Sequence, residues 1–181
     1  MKRFLLLAGL AMPVFAQQAF DFSQLDKLGA GAKNKTNITL DNNMLKLASG
    51  ILGSEKEEAS VKNLVSGLNA ITIRSYEFEK PGRYAEADIE PFRAWLKQQK
   101  WSRIVDSVEG AEHSEIYVQP QANNKVGGLA VISAEPLELT VVYIDGPINM
   151  DDIGKLGGNM GIPNIRVAPS DKKSDRNKKE E

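Results

Sequence analysis

The most regular pattern along the chain is a pair of apolar, β-branched runs at residues 126–132 and 137–144, separated by the turn-like Ser133-Ala134-Glu135-Pro136. This is the pattern of a β-hairpin. Within the second run Leu139, Val141 and Tyr143 face one way and Val142 and Ile144 the other, so the strand is apolar on both sides instead of alternating apolar with polar. Such a hairpin belongs in the middle of a sheet, with one layer above it and one below.

Taken in order, Phe22, Leu25 and Leu28 have helical spacing behind Asp21 or Ser23 as a cap, and Gly29 and Gly31 stop the pattern, which predicts a short first helix. Thr36 to Leu40 alternates like a half-buried or edge strand, and Asp41 can cap the helix that follows. That helix carries the stripe Met44, Leu45, Ala48, Ile51 and Leu52 ahead of Gly53. Ser54 and Glu57 form a capping-box arrangement before Val61, Leu64, Val65 and Leu68, predicting a third helix over about 55–66. The strand at 70–78 moves its apolar parity from Ile71 and Ile73 to Tyr76 and Phe78, which predicts a bulge near Ser75.

A fourth helix over about 85–100 is marked by Ile89, Phe92, Trp95 and Leu96, and Pro91 inside it places the regular part nearer Glu90. Strands follow at 101–108 and 114–119, then turn chemistry at Asn123-Asn124. Beyond Ile144, Asp145-Gly146-Pro147 ends the strand, Asn149 caps a helical turn or two with Asp151, Asp152, Ile153 and Leu156, and 162–167 adds an edge strand. The expected fold is α+β, a single domain with an antiparallel sheet of about five to seven strands and the Met44, Val61 and Phe92 helices packed on it.

Residues 1–16 do not belong to that domain. Lys2 and Arg3 precede an apolar core and the small residues of Val14-Phe15-Ala16, the order of a secretory signal peptide cleaved near Ala16. Its apolar run is about a dozen residues, short of the roughly 20 that span a bilayer, and no later segment is longer. The expected address is the bacterial periplasm or exterior. The domain then occupies residues 17–167, and 168–181 is a charged tail, without apolar residues from Ser170 on, expected to be disordered. There is no cysteine, hence no disulfide, no thiolate zinc site, no cysteine nucleophile and no cysteine for a lipid anchor. About 165 residues are enough to bury roughly 70% of the unfolded surface without such staples. With 23 basic and 24 acidic residues, the chain lacks the positive field that nucleic acid would require.

The order of elements, and above all residues 139–144 followed by Asp145-Gly146-Pro147-Ile148-Asn149-Met150-Asp151-Asp152-Ile153-Gly154-Lys155-Leu156-Gly157, resembles an exported bacterial family known as domain-of-unknown-function family 4252. The likeness covers roughly Phe22 to Val167. It implies an exported α+β domain with no assigned activity, cofactor or catalytic residue.

The candidate chemistries are few. His113 is the only histidine, lies in the polar stretch 109–113 and is expected in an exposed loop; Ser114 beside it would face away on a strand. Asp145, Asn149, Asp151 and Asp152 make the densest oxygen cluster, but they miss the register of a calcium loop and suit helix capping instead. Glu77, Glu79, Glu86, Asp88 and Glu90 supply the acids a glycoside hydrolase would need in a pair. Gly29 to Asn34 lacks the third glycine of a dinucleotide loop and follows a helix, so it is a helix end. No catalytic, cofactor or metal residue is therefore assigned. The expected function is a non-catalytic exported module that binds a protein or envelope component, or associates with itself, through the second face of the Leu137 to Ile144 strand; the other cover open to that face is the first helix around Phe22, Leu25 and Leu28. The alternative is a hydrolase acting through carboxylates.

Overall fold

The computed structural model describes residues 19–51, 62, 65–122 and 125–149. The expected leader at 1–16, the expected start of the third helix, the Asn123-Asn124 turn, and the helical turns, edge strand and tail expected at 151–156, 162–167 and 168–181 lie outside the described residues. Six antiparallel strands form one sheet: β1 (Asn34–Asp41), β2 (Ala70–Glu77), β3 (Ser102–Glu109), β4 (Glu112–Pro120), β5 (Lys125–Ala134) and β6 (Glu138–Asn149). Their order is β1-β2-β6-β5-β4-β3, so the hairpin β5–β6 holds the centre. The helices are α1 (Ser23–Asp26), α2 (Asn42–Ile51) and α3 (Glu86–Gln98), with a 3-10 turn at Leu28–Gly31. Residues 62, 65 and 66 are also helical. This is the α+β fold that the periodicities predict.

Two cores lie back to back across the sheet. On one face Ile71, Ile73, Ile116, Val118, Leu129, Val131, Val142 and Ile144 meet Leu45 of α2 together with Val65 and Leu68. On the other, Tyr76, Tyr117, Ala130, Ile132, Leu139 and Val141 meet Leu25 of α1 and Ile89, Phe92 and Leu96 of α3. The parity of β6 is as expected, since Leu139 and Val141 belong to the second core and Val142 and Ile144 to the first.

Cover for the second face comes from within the chain. The Tyr143 ring is surrounded by Phe22, Phe92, Trp95 and Trp101, with ring centroids 5.8, 6.4, 5.6 and 5.5 Å away, and Leu139 and Val141 are fully buried. Of the two covers expected for this face, a partner or the chain's own first helix, the structure shows the helix, with Phe22, Leu25 and Leu28 packed there. α3 packs on this side with α1 instead of joining α2, and of the apolar run only Leu137, just ahead of β6, is exposed.

Four further expectations change. β2 has no bulge at Ser75, because its pairing with β1 and β6 runs without a shift from Ala70 to Glu77. Its apolar parity changes because each face of the strand meets a different core. α2 buries Leu45 and Ser49 and leaves Met44 and Leu47 exposed, so its inward stripe is rotated from the expected one. α3 is regular from Glu86, with Pro91 inside it; the Ala85 N–H donates to the Asp88 carboxylate at 2.8 Å, which anchors the first turn. β6 continues past Asp145 to Asn149 instead of ending at Gly146-Pro147. That extension lies beyond the last β2 pair, Ala70 with Asp145, so the missing N–H of Pro147 interrupts no bond to β2. Gly146 at φ 130 brings its backbone so close to Leu68 that a Cβ would lie 2.8 Å from the Leu68 Cα, a position only glycine fills without strain.

The capping of α2 is as expected: the Met44 N–H donates to the Asp41 carboxylate at 2.9 Å.

Candidate functional site

Among the described residues and outside the apolar cores, the densest chemistry lies where α3 crosses β3 and β4. His113, Glu115 and Tyr117 alternate along β4 and therefore share a face. Opposite them in register stand Val108, Asp106 and Arg103. Arg103 and Asp106 are three apart and would point to opposite faces of a regular strand, but a register shift between Arg103 and Val105 makes Ile104 an extra residue and turns both to the same side. Glu86, Glu90 and Arg93 follow at helical spacing on α3.

Glu115 is the centre. Its side chain is 0% exposed, and one carboxylate oxygen accepts from Arg93 Nε at 2.6 Å while the other accepts from Arg103 Nη1 at 2.8 Å and from the Tyr117 hydroxyl at 2.9 Å. Burial pushes the carboxyl up, but hydrogen bonds from Arg103, Arg93 and Tyr117 more than reverse this and hold it below the usual value. Arg93 also reaches Glu86 at 2.6 Å and Glu90 at 3.7 Å. Arg103 reaches Asp106 at 2.7 Å.

His113 is not in a loop. A two-residue turn at Gly110-Ala111, with Gly110 at φ 64, lets β3 and β4 pair from Glu109 and Glu112 onward. The imidazole is thus fixed on β4, half-buried, 2.9 Å from Asp106 and 3.6 Å from Glu86. The hydrogen bond to His113, aided by the Arg103 charge, holds the Asp106 carboxyl below its usual value. Asp106, His113 and Glu115 bring potential ligand atoms within 4.8 Å of one another, the donor types of a metal centre. Both Glu115 oxygens are already engaged by guanidinium groups, so the arrangement is that of an ion-pair cluster tying α3 to the sheet.

A second buried cation, Arg74 on β2, gives its Nε to Asp26 at 2.6 Å and lies over the Phe22 ring at 5.5 Å. Tyr76 and Asn37 donate to the same Asp26 oxygen at 3.2 Å each. This fixes α1 on the second core.

The five acids singled out in the sequence are dispersed. Glu77 accepts from Asn34 at 2.6 Å, Glu79 and Asp88 line different grooves, and Glu86 and Glu90 meet only at Arg93. In the oxygen cluster, Asp145 and Asn149 lie on β6, and Asp151, Asp152 and the helical turns expected after Asn149 lie outside the described residues. The Gly29 segment is a 3-10 turn, the tight form of the expected helix end. The Glu115 cluster escapes sequence reading because its members are 86–117 in the chain and share no motif; the one local signal is a glutamate between His113 and Tyr117 on the inward parity of β4.

All four tyrosines, Tyr76, Tyr84, Tyr117 and Tyr143, have their hydroxyls pushed up to about 12, in each case first by burial. Asp26, Glu86, Glu115 and Asp145 respectively add to it. A folded pKa above the unfolded one, about 10, means that this stabilisation is whole below pH 10 and is lost as pH rises through 12. Ultraviolet titration of the native chain is expected to show no tyrosinate near pH 10, while the chain in denaturant ionises there. A native tyrosine titrating at its ordinary value would refute the cover assigned to its ring.

A family model described as Domain of unknown function (DUF4252) matches residues 29–156. No curated protein and no solved structure matches the chain. Among the described residues no helix is long and apolar enough to cross a membrane.

Proposed function

We propose, from the premise that this chain belongs to the DUF4252 family of domains of unknown function, that it is an exported, non-catalytic binding module of the bacterial envelope. One observation carries the reading. Among the described residues the buried ionisable side chains are spent on partners within the chain, Glu115 on Arg93, Arg103 and Tyr117, and Arg74 on Asp26. A general acid or base must exchange its proton with a substrate, and a carboxylate clamped between two guanidinium groups is poorly placed to do so. Export is supported by the order of charges, apolar core and small residues in 1–16.

The competing reading, a hydrolase working through carboxylates, needs two acids facing each other across a cleft. Among the described residues, the groove lined by Glu79 and the groove lined by Asp88 each hold only that one of Glu77, Glu79, Glu86, Asp88 and Glu90. Protein purified from cells expressing the full chain is expected to begin near Gln17 by mass spectrometry and to leave chromogenic glycosides, esters and phosphate esters unhydrolysed. Turnover abolished by Glu79→Gln or Asp88→Asn would establish the hydrolase instead, and an intact 1–16 on a cytoplasmic chain would remove the export.

A further inference from the structure

Four arginines lie among the described residues, and three are held by acids: Arg74 by Asp26, Arg93 by Glu86, Glu90 and Glu115, and Arg103 by Asp106 and Glu115. Arg83 is different. It has no acid within ion-pair distance among the described residues, and neither has Lys33 or Lys80. These three cations line one open groove of about 410 Å³, in which Glu79 is the only acid.

The backbone around the groove is held in place. The Arg83 guanidinium lies so close to Gly31 that a Cβ there would collide with it, so glycine permits that approach. The loop carrying Lys80 and Arg83 is fastened at both ends, by the Phe78 N–H donating to the Leu137 carbonyl at 2.8 Å and the Tyr84 hydroxyl donating to the Glu138 carbonyl at 3.0 Å. On the facing side the Lys33 N–H donates to the Glu77 carbonyl at 2.7 Å. Elements fixed before binding lose little freedom when a ligand arrives.

Three cations against one carboxylate leave a net charge of +2 in a concave site, which concentrates the field on a bound anion. A phosphate dianion neutralises that charge, and a guanidinium fork matches the spacing of its oxygens. We propose that the groove between the Leu28–Gly31 turn and the 79–84 loop binds a phosphate group, carried by a soluble molecule or a lipid headgroup. The proposal rests on the reading of the chain as a binding module and gives that module a ligand chemistry.

Pyrophosphate titrated into isotope-labelled protein, purified from cells expressing the full chain, is expected to produce saturable amide shifts at Gly31, Lys33, Lys80 and Arg83. Arg83→Gln should weaken the binding by at least about tenfold, the effect of losing a charge-assisted pair. Half-molar salt should weaken it too, through screening. Lys46→Gln removes the same charge from α2, away from the groove, and should bind as the wild type does. Lys80→Gln repeats the test should Arg83→Gln fail to fold. Absence of saturable shifts in the millimolar range, or unchanged binding in both groove variants, overturns the proposal. Sedimentation with phosphatidic acid vesicles that is lost in Arg83→Gln assigns the phosphate to a lipid, and pyrophosphate binding without sedimentation assigns it to a soluble molecule. A negative titration leaves the module reading intact, whereas turnover in the hydrolase panel removes that reading without touching the groove.

Discussion

Glu115→Ala is expected to lower the stability of the fold by about 3 kcal/mol, the scale of a buried ion pair broken from one side. The loss falls mainly on Arg93, whose side chain is only 13% exposed and would keep a charge without its nearest buried partner. Arg103, at 43% exposed, can turn to solvent and contributes little. In a chain of this length such a loss corresponds to a fall of roughly 6 to 12 °C in Tm. Replacing both partners, Arg93→Met with Glu115→Met, should recover most of it, because the penalty comes from a largely buried charge left with only the exposed Glu86 and Glu90 and not from the absent pair. Thermal denaturation of the two variants checks this, and a double variant less stable than Glu115→Ala would show that the cluster's value lies elsewhere.

The same carboxylate gives a pH dependence with a definite sign. Its folded pKa lies below the unfolded one, because the bonds from Arg103, Arg93 and Tyr117 outweigh the cost of burial. On acidification the unfolded chain takes up this proton first, so the stabilisation is whole above about pH 5 and fades as pH falls through the folded value. Glu115→Gln should therefore have a shallower loss of stability with acid than the wild type. Parallel acid profiles would place the wild-type loss on other carboxylates, such as Asp106, whose pKa is also lowered.

Tyr143→Asp is expected to cost about 3 kcal/mol without changing the oligomeric state. The substitution puts a carboxylate among Phe22, Phe92, Trp95 and Trp101 and removes the edge and tilted ring contacts that join α1, α3 and β6. Urea denaturation reads the stability and analytical sedimentation the association. A dimer lost at wild-type stability would restore this face as an interface; a lower midpoint with unchanged sedimentation confirms it as core.

The sequence by itself determined what local physics controls. The continuous apolar, β-branched runs placed the hairpin at 126–144 mid-sheet and announced layers on both of its faces, Thr36 to Leu40 announced an edge strand, and Asp41 announced the cap of α2. Each depends on residues within a turn or two of one another, where spacing alone sets which side chains share a face. Only the tertiary structure decided which helix covers which face, and with it that Leu139, Val141 and Tyr143 are enclosed by α1 and α3. It also decided that β6 runs through Gly146-Pro147, because the pairing with β5 continues to Asn149 and outweighs the local turn preference. The charged cluster was illegible for the same reason. Arg93 and Glu115 are 22 residues apart, and they meet because α3 crosses β4 and because one extra residue at Ile104 turns Arg103 and Asp106 toward them. Nothing in the spacing of those residues records a register shift or a crossing. Such contacts are set by the packing of whole elements, to which each residue contributes too little to be read singly.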